Sequence, residues 1–315
     1  MSTSASPAPD RAIESPEATR PAAARMKSLQ WSVRRELWQN RAIWIGPLAA
    51  GFVLVASFVL GTIAAPERVA GLLALATETR HGAVARPYGF VAAMVALGAL
   101  IAGVFYCLEA LHGERVDRSI LFWKSLPVSD TTTVLSKACI PLVVLRLLVL
   151  AVTLGVQAVM LLGSTLAVIA TGRDPAALWR ELPLLEMPIV LLYGIGVMTV
   201  VQAPLHAWLL MVSAWARRRV ALWAFLPPLG LGAAEQLVFG HHSLFRALLE
   251  HLFLGPFARA FAVDPMRAAP PPVIDRIALL DPAAVFGRPG VWIGLGLTAA
   301  FLFIAIRLRR DRALT

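Results

Sequence analysis

The chain of 315 residues is 58% hydrophobic and only 15% charged, with a net charge of +10 and a mean hydropathy of +0.71. A soluble domain is typically about 45–50% apolar and about 25% charged, so this apolar excess leaves too little polar surface for a water-facing fold and points to lipid as the solvent. The Arg residues lie mostly between apolar runs, and no tight basic stripe with stacking aromatics is present. That distribution suits anchoring at lipid headgroups and argues against nucleic-acid binding.

Residues 1–25 are rich in Ser, Ala, Pro and Thr and offer nothing to bury, so a disordered tail is expected there. Residues 26–41 differ. Met26, Leu29, Val33 and Leu37 recur at helical spacing beside Trp31 and Trp38, with Lys27, Arg34, Arg35 and Arg41 on the polar side. This predicts an amphipathic helix lying in the membrane interface with Trp at headgroup depth. The same pattern would also serve a helix docked on another subunit.

Six apolar segments follow, at 42–65, 87–108, 138–170, 187–215, 220–240 and 290–306. Crossing the hydrocarbon takes about 20 apolar residues in a helix, and the alternation of a β-barrel is absent. The expected fold is therefore all-α and polytopic, with one six-span membrane domain over 42–315. The first apolar run begins too late and is too long for a signal-peptide core, so it reads as an uncleaved anchor. Eighteen of the 29 Lys and Arg residues fall in the segments that include both ends of the chain, and ten on the other side. Positive charge stays inside, so both termini are expected in the cytoplasm, across a cytoplasmic (inner) membrane.

Between the fifth and sixth segments, residues 243–253 are apolar at helical spacing before a run of prolines, which suggests short helices dipping into the outer interface. Cys107 and Cys139 have neither disulfide nor metal-ligand spacing, and His241, His242 and His251 lack the further ligands of a metal site. No metal is expected.

The most informative stretch is 112–137, HGERVDRSILFWKSLPVSDTTTVLSK. It mixes Glu114, Arg115, Asp117, Arg118 and Lys124 with a dense apolar set that includes Ile120 and Trp123. Pro127 ends that element, and Ser129 or Asp130 can cap a new helix entering the third segment. A short helix across the inner face is expected, able either to float among headgroups or to enter a groove on a partner, where aromatics and Arg concentrate binding energy.

The run Glu114-Arg115, Arg118-Ser119-Ile120-Leu121, Leu126-Pro127-Val128-Ser129 and Leu135-Ser136-Lys137 resembles the first inner loop of type-2 ABC-transporter permeases. In that family an acidic-basic pair opens the loop, a small hydroxyl residue precedes an apolar pair, a Leu-Pro-Val-Ser-like step follows, and a Lys begins the next span. The usual Gly-Thr step is Arg118-Ser119 here. Six spans, a preceding interfacial helix and a re-entrant outer segment match in layout. The resemblance implies a permease subunit, working with a second permease copy or a paralogue. It also implies that a separate cytoplasmic ATP-binding subunit, carrying ATP and Mg, grips this loop as a coupling helix. No Gly-x-x-x-x-Gly-Lys-Ser/Thr run occurs in the chain, so no cofactor or ATP site of its own is expected.

Ionisable groups inside a membrane cost about 2.5–3.5 kcal/mol each on insertion scales, so each asks for a reason. Glu109 and Arg146 come to similar depth on antiparallel neighbours, which suggests an ion pair; snorkelling of Arg146 to the headgroups is the plainer alternative. Glu235 could line a pathway. His206, Gln157 and Gln202 could line it too, or could bond between helices. A membrane-bound enzyme or an assembly scaffold is the competing reading. An enzyme would need ionisable groups converging at one depth, and no nucleophile-base arrangement is legible.

Overall fold

The computed structural model describes residues 22–116, 129–240, 260–261 and 273–311, with 22–25 described in backbone alone. Among these residues the fold is helical, and its single β-type contact is an isolated antiparallel bridge between Phe261 and Leu280. Six segments are long and apolar enough to cross a membrane: Ala42–Ala64, Thr77–Val116, Asp130–Ala170, Glu186–Trp215, Val220–Phe239 and Pro289–Asp311. The chain is a multi-pass, all-α membrane protein. Helices are what such apolar runs must form, because lipid offers nothing to satisfy an exposed backbone N–H or C=O.

Two spans reach well beyond their apolar stretches. The second starts at Thr77 and the third at Asp130, where Ser129 is the cap: its hydroxyl accepts from the backbone N–H of Thr132. At 1.5 Å per residue, Thr77–Ala110 is roughly 50 Å long against a hydrocarbon core of about 30 Å. Its first turns, with Arg80, His81 and Arg86, therefore stand in water or headgroups. The leading helix spans Ala22–Gln39 and so starts inside the stretch expected to be a tail; residues 1–21 lie outside the described residues. Ser32 and Glu36 are buried on its inner side, while Trp31 and Trp38 are exposed. The Arg34 guanidinium sits 5.6 and 5.1 Å from those two rings.

The span ends gather on two faces. One, called the basic face here, carries the leading helix, residues 111–116 and 129–137, the turn at 216–219 and the end of the sixth span. The opposite face carries short helices at Pro66–Leu72, Ala176–Glu181 and Pro282–Phe286. It is laced together by Arg80 and Glu181 at 3.5 Å, by His81 Nε2 and Asp275 at 3.1 Å, and by Glu186, which accepts from the Ile277 N–H at 2.8 Å. The expected helical stretch at 243–253 lies outside the described residues.

The core runs between the first four spans, around Val95, Val149, Leu209 and Leu210. The first and third spans approach so closely that a Cβ on Gly51 would lie 2.7 Å from Val152 Cγ1. Large apolar side chains such as Phe52, Ile63 and Leu237 stay exposed, as lipid-facing positions require. In the fifth span Pro228 has no N–H for the carbonyl of Ala224. The indole N–H of Trp208 on the fourth span donates to that carbonyl instead, at 3.1 Å. A left-handed Arg219 (φ 52°) makes the tight turn into this span, and Gly240 (φ 70°) closes it.

Candidate functional site

The chemistry-bearing residues of the basic face meet in a buried network that includes the described ends of the 112–137 segment, residues 112–116 and 129–137. Glu36 of the leading helix lies at its centre, 1% exposed. Its Oε1 takes the Lys137 ammonium at 2.9 Å and the Arg35 guanidinium at 3.1 Å. Its Oε2 accepts from the Tyr106 hydroxyl at 3.0 Å and from Asn40 at 3.4 Å. Lys137 also reaches Glu114 Oε1 at 3.0 Å, and Glu114 Oε2 takes Arg309 at 2.6 Å. Arg309 in turn donates from Nε to Asp130 at 2.9 Å. Three carboxylates thus meet three cations drawn from the leading helix and the second, third and sixth spans.

Local structure explains the convergence. Because Ser129 caps the third span, the Asp130 carboxylate is free to turn toward Arg309. Lys137 emerges two turns later on the same helix. Arg309 belongs to the last turn of the sixth span, where a cation also suits the helix dipole. Taking these charges out of water is costly, and the cost is offset because every carboxylate has a cation and the most buried one, Glu36, also accepts from Tyr106 and Asn40.

A second anchor holds the start of the segment. The second span breaks at Leu111, and Ser213 of the fourth span fills the gap. Its hydroxyl accepts from the N–H groups of Leu111 and His112 at 3.2 and 3.1 Å and donates to the Leu108 carbonyl at 2.8 Å. Arg115 then reaches back to the carbonyls of Ser213 and Ala216, the latter at 2.9 Å. Adjacent residues Glu114 and Arg115 are therefore tied to different helices.

Of the other residues singled out from the sequence, Asp117, Arg118, Ile120, Trp123, Lys124 and Pro127 lie outside the described residues. The Glu109–Arg146 ion pair is not formed. Glu109 is exposed while its neighbours Tyr106, Cys107, Leu108 and Ala110 are buried. Arg146 is buried, pointing away from Glu109's face, and donates to Gln202 Oε1. Leu145, the residue before Arg146, lies against Gly103, six residues from Glu109 along the second span, so the two differ in depth as well as in direction. His206 bonds through Nδ1 to the Gln202 carbonyl at 2.9 Å. Gln157 donates to the Tyr88 carbonyl at 3.2 Å, an interhelical bond remote from Arg146. Glu235 is buried in the fifth span. Gln202 and His206 thus gather with Arg146, and Gln157 does not.

Glu36, Tyr106, Asp130, Ser213 and Arg309 were not legible as site residues. The one available signal was Glu36 itself, the lone carboxylate among the cations of an amphipathic helix. Among the described residues no group of three or more His, Cys, Asp or Glu is placed to hold a metal ion. The arrangement ties the leading helix to the second, third and sixth spans through charge. It can transmit displacement, because a pull on residues 114–115 or 130–137 is carried directly into the leading helix and the sixth span. No protein-family model, characterised protein or solved structure matches the chain.

Proposed function

We propose that the chain is the membrane subunit of an ABC-type exporter, driven by a separate cytoplasmic ATP-binding subunit that docks on the 112–137 segment. The observation that carries this reading is the charge-balanced network joining both described ends of that segment to two other helices. Glu114 and Arg115 precede the central residues, Asp130 and Lys137 follow them, and all four are rooted in buried or half-buried contacts. A loop meant only to connect two spans needs no such foundation. In this reading the basic face is cytoplasmic and both termini lie on the cytoplasmic side of the inner membrane. The leading helix rests in the interface on Trp31 and Trp38, and a second permease copy or paralogue completes the pathway. ATP binding by the partner would push on the segment, and the network would pass that motion to the spans in alternating access.

The test is co-purification. The chain, extracted from its native membrane in mild detergent, should bring with it a protein that binds ATP. Ile120→Asp and Trp123→Asp should abolish that association while leaving the chain inserted and stable. No ATP-binding partner, together with wild-type behaviour of both variants, would remove the proposal.

A further inference from the structure

Within their apolar stretches the second, third and fourth spans meet around a cation that, among the described residues, has no carboxylate partner. Arg146 is 6% exposed and donates from Nη2 to Gln202, while its buried Nε has no acceptor. His206 beside it is 1% exposed, and its Nε2 is also buried and unpartnered. Gln202 lies 13 residues, roughly 20 Å, from the end of the fourth span at Trp215, far deeper than a headgroup. Among the described residues no Asp or Glu forms an ion pair with Arg146, in contrast to the balanced network on the basic face.

The backbone is built to put it there. Residues Ile140–Val144 form a π-helix opened by Pro141, and the Leu145 N–H bonds to the Ile140 carbonyl five residues back. Such single turns inside α-helices are frequent at functional sites. In an unbroken α-helix Arg146 would lie on the opposite side of the third span from Lys137, nine positions earlier. The extra residue in the π turn reduces that angle to roughly 80°. Both cations therefore point inward, and neither faces lipid. On the facing helix Gly103 leaves room, since a Cβ there would come within 3.0 Å of His206 Nε2.

A lone buried guanidinium is destabilising, and a carboxylate at a neighbouring position would have relieved it. We infer that Arg146, supported by Gln202, is a recognition site for the anionic head, a phosphate or carboxylate, of the molecule this chain moves. Guanidinium suits such groups because its paired N–H donors match their oxygens. The inference rests on the transport reading and names the substrate class.

The test uses the purified full chain in phosphatidylcholine nanodiscs, with dodecyl phosphate as probe and thermal unfolding as readout. The expected result is a saturable rise in Tm with dodecyl phosphate and none with dodecyltrimethylammonium. Arg146→Gln should weaken the apparent affinity at least tenfold, Arg146→Lys less, and Arg180→Gln on the exposed opposite face not at all. Gln202→Glu guards against a variant that fails to fold: it gives the guanidinium an internal counter-ion, so it should raise the ligand-free Tm while abolishing the response. Inorganic phosphate is the second arm. A response to dodecyl phosphate alone assigns the site to an amphiphile, and equal responses assign it to a small soluble anion. No saturable response in the wild-type chain, or unchanged affinity in both Arg146→Gln and Gln202→Glu, overturns the inference. Because the chain is tested alone, the result does not depend on whether an ATP-binding partner is found.

Discussion

Removing the ammonium of Lys137 would leave Glu36 and Glu114 sharing a buried site with one cation fewer. Lys137→Met should therefore cost about 3–5 kcal/mol, the usual penalty for breaking a buried pair from one side. Adding Glu36→Gln restores charge balance and should recover part of that loss. Unfolding in mixed micelles measures both, and additive losses in the double variant would show that the two residues are not coupled. Glu36 could not be recognised from the sequence because its partners lie 101 residues away at Lys137 and 70 away at Tyr106. A Glu among arginines on an amphipathic helix reads as one more solvated charge. The Arg146 expectation failed for a related reason. Counting residues gives only a rough depth along a helix, and the direction a side chain takes also depends on irregularities such as the π turn at Ile140–Val144.

At the level of elements the long apolar runs located all six spans, because hydrocarbon tolerates so few alternatives. Their ends were less legible. Past the hydrocarbon a helix needs no apolar residues, so Thr77–Arg86 and Asp130–Lys137 continue their spans on composition typical of a loop. The fifth span shows how such helices survive prolines. Trp208→Phe keeps the ring but leaves the Ala224 carbonyl unpaired, and should cost about 1–3 kcal/mol. Pro228→Ala supplies a backbone N–H to the same carbonyl and should make Trp208→Phe nearly neutral. Thermal unfolding of the single and double variants checks this; an unrescued loss would place the role of Trp208 in its edge-on contact with Phe301, at 5.5 Å, instead.

For the whole molecule, composition settled membrane residence, and the cation count supplies an orientation to be tested. With Cys107 and Cys139 replaced by Ala, single cysteines at Arg180 and Arg218 report the two faces. A membrane-impermeant maleimide should label Arg180→Cys in right-side-out vesicles and Arg218→Cys only after permeabilisation; the reverse pattern would invert the topology. The network on the basic face also bears on how the protein is made. Arg309 is synthesised 195 residues after Glu114 and 179 after Asp130, a delay of roughly 10 to 40 seconds at ordinary translation speeds. Through that interval Asp130 waits for its cation and Glu114 for its shortest contact. A chain cut short before its sixth span therefore leaves Asp130 without its cation and Glu114 dependent on Lys137 and Arg35, so the last helix to be made is the one that completes the charge balance of the basic face.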